Sequence, residues 1–167
     1  MKRPLVASLV AAGAFAVGGI ALAAGTLQYR ANPVGEFEVP ANDSTAEAVV
    51  KLKINPDRTE VRYDLKITEP ITDVLQAHLH MAPTGSNGGI VAWLYPSAPP
   101  AQLIPGDTEG RLASGVITEA NLVGPLTGNW QGFLDAIEAG NIYANVHTLA
   151  HPPGEIRDQV HLHPGDD

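Results

Sequence analysis

The segment EVRYDLKI at residues 60–67 alternates strictly between polar and apolar side chains. This is the pattern of a β-strand with one buried and one solvated face. The preceding segment EAVVKLKI at residues 47–54 becomes alternating towards its end, and Asn55-Pro56-Asp57 between the two is a turn sequence. The two segments therefore predict a β-hairpin. Its buried face carries Val61, Tyr63, Leu65 and Ile67.

The rest of the chain continues this succession of short strands and turns. Seventeen glycines and 14 prolines interrupt the 167 residues, a spacing typical of all-β folds. Further strands are predicted at residues 74–80, 90–94, 112–117, 142–148 and 155–163, and a loop at 96–109. One short helix is predicted near residues 130–138, with Asn129 as its N-cap and Gly140 as its stop. These elements predict a single antiparallel β-sandwich of about seven to nine strands with one short helix.

The first residues have the features of a secretory signal peptide. Met1-Lys2-Arg3 is basic, residues 5–24 carry no charge, and Ala21-Leu22-Ala23 fits a cleavage site. An uncleaved membrane anchor is the alternative for the same apolar segment. We expect export to the periplasm or the extracellular space, without stable membrane insertion after cleavage. The expected division is a signal peptide at 1–23, a linker at 24–34, the β-sandwich domain at 35–163 and a flexible tail at 164–167.

Charge and cysteine content limit the partners and the chemistry. The chain has 10 Lys+Arg against 18 Asp+Glu, a net charge of −8, and loss of Lys2 and Arg3 with the signal peptide makes it more acidic. No nucleic acid or anionic membrane surface is expected as a partner, because phosphate contacts need a basic stripe. The chain has no cysteine, which excludes disulfides, thiolate catalysis and iron–sulfur clusters.

Three histidines are the main candidate site residues. His78 and His80 lie two apart in a predicted strand, so they share a face with their Cβ atoms about 6–7 Å apart. Residues 142–148 and 155–163 predict an antiparallel hairpin, in which His147 lies on the face opposite the apolar side chains. If strand 74–80 lies beside strand 142–148, these three imidazoles converge on one point and can chelate a metal ion.

The other histidines are candidates of lower rank. His151, in the turn after His147, is a possible fourth ligand. With Arg157 opposite His147, His161 lies four residues further along its strand, roughly 13 Å away. His161 and His163 therefore form a separate, weaker candidate. The alternative for the pair His78 and His80 is two polar side chains on the solvated face of a half-buried strand.

Histidine ligation without thiolate suits Cu(II) or Zn(II), and Ni(II) less well. We expect copper, with zinc as the alternative. No zinc-protease helix, nucleophile elbow or phosphate-binding glycine loop occurs in the sequence. Enzymatic activity is therefore not expected, and a superoxide-dismutase-like redox activity is the main enzymatic possibility.

Three segments of the chain carry a family resemblance. They are GEFEVP at residues 35–40, AHLHMAP at 77–83 followed by GSNG at 85–88, and NIYANVHT at 141–148 followed by PGEIR at 153–157. These resemble the opening strand, the AHIH-x-G-x-x-G-x-N-G segment and the GxxYVNVHTxxxPxGEIRGQ signature of the CHRD domain, first described in chordin. The match runs from about residue 35 to 160, and Asp158 stands where the family has glycine.

The resemblance implies an immunoglobulin-like or superoxide-dismutase-like β-sandwich in an exported protein, and it implies little about activity. Two functions stay open. The first is a copper-binding module that uses the histidines. The second is an extracellular domain that binds a protein or small ligand, or that mediates adhesion, with histidines that are purely structural.

Overall fold

The computed structural model describes residues 25–164, which form eight β-strands and one α-helix. The strands are β1 (Leu27–Ala31), β2 (Glu47–Ile54), β3 (Val61–Met81), β4 (Gly89–Tyr95), β5 (Ile104–Ile117), β6 (Ile142–Thr148), β7 (Ile156–Gln159) and β8 (His161–Leu162), and the helix is α1 (Trp130–Glu138). The predicted all-β fold with one short helix is confirmed. The predicted signal peptide and residues 165–167 of the predicted tail lie outside the described residues.

The long strand β3 is shared by two parts of the sheet. Its first half pairs with β2 on one side and β5 on the other, and its second half pairs with β6 and β4. The sequence predicts two separate strands here, because Pro70 and Asp73 interrupt the alternation. The structure instead continues through a bulge, where Asp73 adopts a left-handed φ of 55° and its carboxylate accepts a hydrogen bond from the Gly106 N–H.

The sheet curls until it is nearly closed. Its strand order is β7-β6-β3-β2-β1-β8, with β4 and β5 on the other flank of β3. Only Val160 separates β7 from β8, so one extended segment pairs with β6 at its start and with β1 at its end. The predicted inward residues of the first hairpin are buried in the resulting core, which also receives Phe133, Leu134 and Ile137 from α1.

The helix α1 begins and ends as predicted. The Asn129 side chain accepts a hydrogen bond from the Gly132 N–H at 3.0 Å, and Gly140 has a φ of 71°. Among residues 25–164, no helix has the length and hydropathy needed to span a membrane.

Two segments predicted as connections are strands. Residues 27–31, expected in the linker, form β1 against β2, with Tyr29 and Ala31 buried. Residues 104–109, expected in a loop, begin β5, where the Thr72 hydroxyl donates to the Asp107 carboxylate at 2.6 Å. Neither segment shows sustained alternation, because β1 is short and the start of β5 contains Pro105, Gly106 and mainly polar side chains.

The β6–β7 hairpin has a register two residues away from the expected one. Arg157 lies opposite Asn145, not opposite His147. The last pair of the hairpin is Val146 with Ile156, so residues 147 and 148 lie on the turn side of the β6–β7 ladder. The Glu155 N–H donates to the Val146 carbonyl at 2.8 Å and closes the turn there. His161 consequently lies beyond β7 and pairs with Arg30 of β1.

Candidate metal centre

The three histidines that the sequence groups together converge in the structure. His78 and His80 project from β3 and His147 from the neighbouring β6, where Gln76 pairs with His147. The ring centroids lie 5.5 Å apart for His78 and His80, 5.0 Å for His78 and His147, and 5.6 Å for His80 and His147. One ring nitrogen from each residue lies within 4.8 Å of the other two. The arrangement therefore provides three imidazole donors around a single point.

These imidazoles are buried, so the alternative, two polar side chains on the solvated face of a strand, is wrong. His78 is 0% exposed, His147 4% and His80 7%. The Trp93 ring from β4 meets the His78 ring edge-on, with their centroids 4.2 Å apart, and the Tyr143 ring stacks on that of His80, with their centroids 4.9 Å apart. All seven residues of β6 are buried. The face is enclosed because two loops, one containing Gly88 and one containing Pro152, pack against its histidines.

Two main-chain carbonyls fix the tautomers of His80 and His147. The Nδ1–H of His80 donates to the Gly88 oxygen at 3.0 Å, and the Nδ1–H of His147 donates to the Pro152 oxygen, also at 3.0 Å. A carbonyl oxygen can only accept, so both rings carry their proton on Nδ1 and leave a lone pair on Nε2. Hydrogen bonding of the second ring nitrogen to a carbonyl is the usual environment of a metal-binding histidine.

Two of the lone-pair positions lack a partner inside the protein. Nε2 of His78 and Nε2 of His80 are buried without a hydrogen bond. Nδ1 of His78 lies 3.2 Å from Nε2 of His147, within hydrogen-bond distance. Unpartnered buried polar atoms are uncommon and costly. A bound cation would satisfy them.

Burial keeps the three rings neutral. Desolvation is the largest cause of the lowered pKa of His78, about 3, and of His80, about 4, and neighbouring imidazoles lower both further. Desolvation also lowers the pKa of His147, against the opposing effect of its bond to the Pro152 carbonyl. The neutral imidazole is the form that binds metal. The cluster is therefore in its metal-binding form at neutral pH.

Arg157 and Tyr143 hold the loop that carries Gly88. The guanidinium of Arg157 lies 3.8 Å above the Tyr143 ring and donates to the Asn87 side chain at 2.8 Å and the Ser86 carbonyl at 3.0 Å. The Gly88 N–H donates to the Tyr143 hydroxyl at 3.1 Å. Sequence reasoning missed these supporting residues, although the GSNG, NIYANVHT and PGEIR segments of the family resemblance contain all five.

Gly88 is required for the close approach of this loop to β3. A Cβ atom at this position would collide with the main-chain carbonyl of Met81. A side chain at position 88 would therefore push the loop away from β3, and the main-chain carbonyl of residue 88, which orients His80, would move with it.

A second buried polar cluster adjoins the histidines. Glu38 is 7% exposed, and its Oε1 has no hydrogen-bond partner, as is also true of Asn145 Oδ1. Burial raises the pKa of Glu38 to about 7, and the nearby charge of Arg157 opposes this shift. Asn145 pairs with both His78 and Arg157 in the sheet, so it connects the two clusters.

The other candidate histidines lie outside the group of three. His151 is half-buried in the turn after β6, where its N–H donates to the Thr148 hydroxyl at 3.1 Å. His161 is exposed on β8, and the N–H of His163 donates to the Gln28 carbonyl at 2.8 Å. None of these three contributes a ring nitrogen to the group around His78.

The fold and this site define a class of protein: an all-β domain with a three-histidine cluster on the sheet face opposite the apolar core, buried beneath two loops. The sequence model of the CHRD domain matches residues 29–160 of the 167-residue chain. The chain therefore belongs to the CHRD-domain family, as its motifs indicated. A search of curated proteins found no match, and a search of solved structures found none either.

Proposed function

We propose that this protein is a transition-metal-binding module whose ligands are His78, His80 and His147. The observation that carries the proposal is the pair of buried, unpartnered Nε2 atoms on His78 and His80, within a group whose donor nitrogens lie within 4.8 Å of one another. The fixed tautomers of His80 and His147 and the lowered pKa values of all three rings support it.

Cu(II) is the proposed ion, and Zn(II) is the alternative. Among divalent ions of the first transition row, Cu(II) binds nitrogen donors most tightly. Three neutral imidazoles match both ions, whereas Mg²⁺ and Ca²⁺ take oxygen ligands. His151 remains a proposed fourth ligand, since its turn directly follows His147. Its neighbour Pro152 supplies the carbonyl that orients the His147 ring.

The proposed role is to store, deliver or sequester the metal in an exported compartment. Export is proposed from the signal-like residues 1–23. A buried site limits solvent access to the ion. This suits a metal carrier better than a catalytic site, which must admit a substrate to the ion.

One observation favours the competing function, a ligand-binding or adhesion domain with structural histidines. The Nδ1 of His78 and the Nε2 of His147 lie at hydrogen-bond distance, 3.2 Å, so the two rings can bond to each other directly. This contact leaves the Nε2 atoms of His78 and His80 unexplained, and we therefore prefer the metal site.

Titration of Cu(II) and Zn(II) into tag-free, metal-stripped protein separates the two functions. We expect one ion per chain in the parent, and loss of that ion in His80→Ala and His147→Ala. His161→Ala is the matched control, because it removes an exposed imidazole outside the cluster, and it should bind like the parent. Equal binding by all four proteins would assign the cluster a structural role.

A further inference from the structure

Six basic side chains line one groove on the solvated face of β1, β2, β3 and β5. They are Arg30, Lys51, Lys53, Arg62, Lys66 and Arg111. Of the ten Lys+Arg in the chain, Lys2 and Arg3 lie outside the described residues, so six of the remaining eight line this groove. Asp64 is its one acidic lining residue within residues 25–164, and its volume is about 610 Å³. A net acidic protein thus concentrates its positive charge on one face.

The strand register places like charges directly opposite one another in this basic groove. Three cross-strand pairs carry like charges, namely Arg30 with Lys51, Lys53 with Arg62, and Lys66 with Arg111. Lys51 also lies opposite Asp64 on its other side. Like charges in opposed positions of a sheet destabilise the pairing. The three like-charge pairs therefore lower the stability of the sheet in the absence of an anion.

The chain itself neutralises only part of this charge. Arg62 pairs with Glu60 at 2.9 Å and Arg111 with Asp64 at 2.8 Å. Within the part of the chain that the structure describes, Lys51, Lys53 and Lys66 form no ion pair, and all three are exposed. Three ammonium groups are thus available to an external anion.

We propose that the basic groove binds a linear acidic polysaccharide that carries carboxylate or sulfate groups along its length. The cations follow strands whose alternate residues are about 6–7 Å apart and whose neighbours are about 4.8 Å apart. This grid can meet repeated negative charges on an extended chain. The expectation from net charge alone does not apply locally, because the lateral pairing of four strands brings the six residues onto one face.

The surroundings of the basic groove argue against other polyanions. The whole chain carries −8, so a broad anionic membrane would be repelled by the surface around the groove, whereas a narrow chain touches the groove alone. Within residues 25–164, none of the exposed large apolar side chains lines the groove, so this part of the chain presents there no residue for insertion into a bilayer. Its aromatic lining residue, Tyr63, is buried and bonded to the Leu94 carbonyl, so it offers no platform for stacked bases.

A peptide strand is also a poor fit. The groove lies on a sheet face whose backbone groups are paired within β1, β2, β3 and β5. Peptides that add a strand need an open sheet edge. Recognition in this groove must therefore come from side-chain charge.

Retention of the purified protein on immobilised polygalacturonate and on dextran sulfate, eluted with rising NaCl, tests the proposal. We expect retention at low salt and a roughly tenfold weaker affinity for Lys53→Gln/Lys66→Gln. The control Ser97→Glu/Gln102→Glu changes the net charge by the same two units at exposed loop positions, and it should bind like the parent. Thermal unfolding checks that both variants fold.

Three outcomes would overturn the proposal. They are no retention on either polysaccharide, equal losses in the two double variants, and tighter binding to phosphatidylglycerol vesicles than to the polysaccharides. The last outcome would assign the groove to a membrane surface. The four residues changed lie outside the histidine cluster, so the result is independent of metal binding.

Discussion

Nδ1 of His78 lies 3.2 Å from Nε2 of His147, across the β3–β6 ladder and 69 residues apart in the chain. Without a metal ion, the His78 Nδ1–H donates to the lone pair of His147, whose own Nδ1–H is held by Pro152. An ion bound through Nε2 of His78 and Nε2 of His147 would displace this hydrogen bond, because the His147 lone pair that accepts it would then face the ion. The same contact thus links the stability of the metal-free fold to the geometry of the proposed site.

Replacement of His147 by alanine should destabilise the metal-free protein by about 2–4 kcal/mol. The change opens a cavity in a buried layer and leaves the His78 Nδ1–H without an acceptor. Urea unfolding of metal-stripped protein measures the effect. His161→Ala, at an exposed position, should change the free energy of unfolding by less than about 0.5 kcal/mol. Equal effects of the two variants would contradict the buried hydrogen bond.

The cluster should make the metal-free protein less stable as the pH falls below about 6.5. The unfolded histidines have pKa values near 6.5, whereas those of His78 and His80 are about 3 and 4 in the folded protein. Their stabilising contribution is complete above pH 6.5 and is lost progressively as the pH falls through the folded values. The slope is about 1.4 kcal/mol per pH unit for each ring in this window.

Urea unfolding between pH 7.5 and 4.5 measures this dependence, and His80→Gln should reduce the slope. Metal binding should also persist below pH 6.5, where a surface histidine site would release its ion. Release at pH 6.5 together with an unchanged slope in His80→Gln would contradict the burial of neutral rings.

Gly88→Ala should weaken both the fold and the metal site. The added methyl group collides with the Met81 carbonyl, and relief of this clash moves the carbonyl that orients His80. We expect a loss of about 2–4 kcal/mol in stability and weaker Cu(II) binding by calorimetry. Gly85→Ala is the matched control in the same loop, since its Cβ would meet open space and its φ of 77° costs about 1 kcal/mol. Unchanged Cu(II) binding in Gly88→Ala would show that the carbonyl does not orient the ligand.

Arg157→Lys keeps the charge but should loosen the loop at residues 82–88. Lysine cannot reproduce the two planar donor contacts to Asn87 and Ser86 together with the stacking on Tyr143. Amide hydrogen exchange in this loop should accelerate, while exchange in the distant β1–β2 pair stays unchanged. An unaltered exchange rate at residues 86–88 would show that Arg157 does not hold the loop.

Periodicity predicted the local structure but not the relations between distant segments. The alternation of residues 60–67 gave the inward face of β3, and the parity of His78, His80 and His147 placed them together. Their burial was not predictable, because it depends on loops at Gly88 and Pro152 that close over the face. The β6–β7 register depended on hydrogen bonds inside the turn, and the basic groove depended on the lateral order of four strands. None of these features produces a periodic pattern of polar and apolar residues in the sequence.

Glu38 should oppose the pH dependence of the histidines. Burial raises its folded pKa to about 7 from the ordinary value of 4.5, so the folded protein binds more protons than the unfolded chain between these pH values. The contribution of Glu38 to stability is therefore complete below pH 4.5 and is lost as the pH rises through about 7. Glu38→Gln keeps the shape of the side chain and removes this titration.

Relative to the parent, Glu38→Gln should become more stable as the pH rises from 5 to 8, by about 1.4 kcal/mol per unit across the titration. Urea unfolding of parent and variant at pH 5, 6, 7 and 8 gives the difference directly. Asp43→Asn, at an exposed position, is the control and should leave the pH profile unchanged. If the free energies of unfolding of Glu38→Gln and the parent differ by the same amount at every pH, the carboxyl has the same pKa in the folded and unfolded states. Glu38 would then be an ionised carboxylate in the folded protein at neutral pH, and its buried Oε1 would need a hydrogen-bond donor.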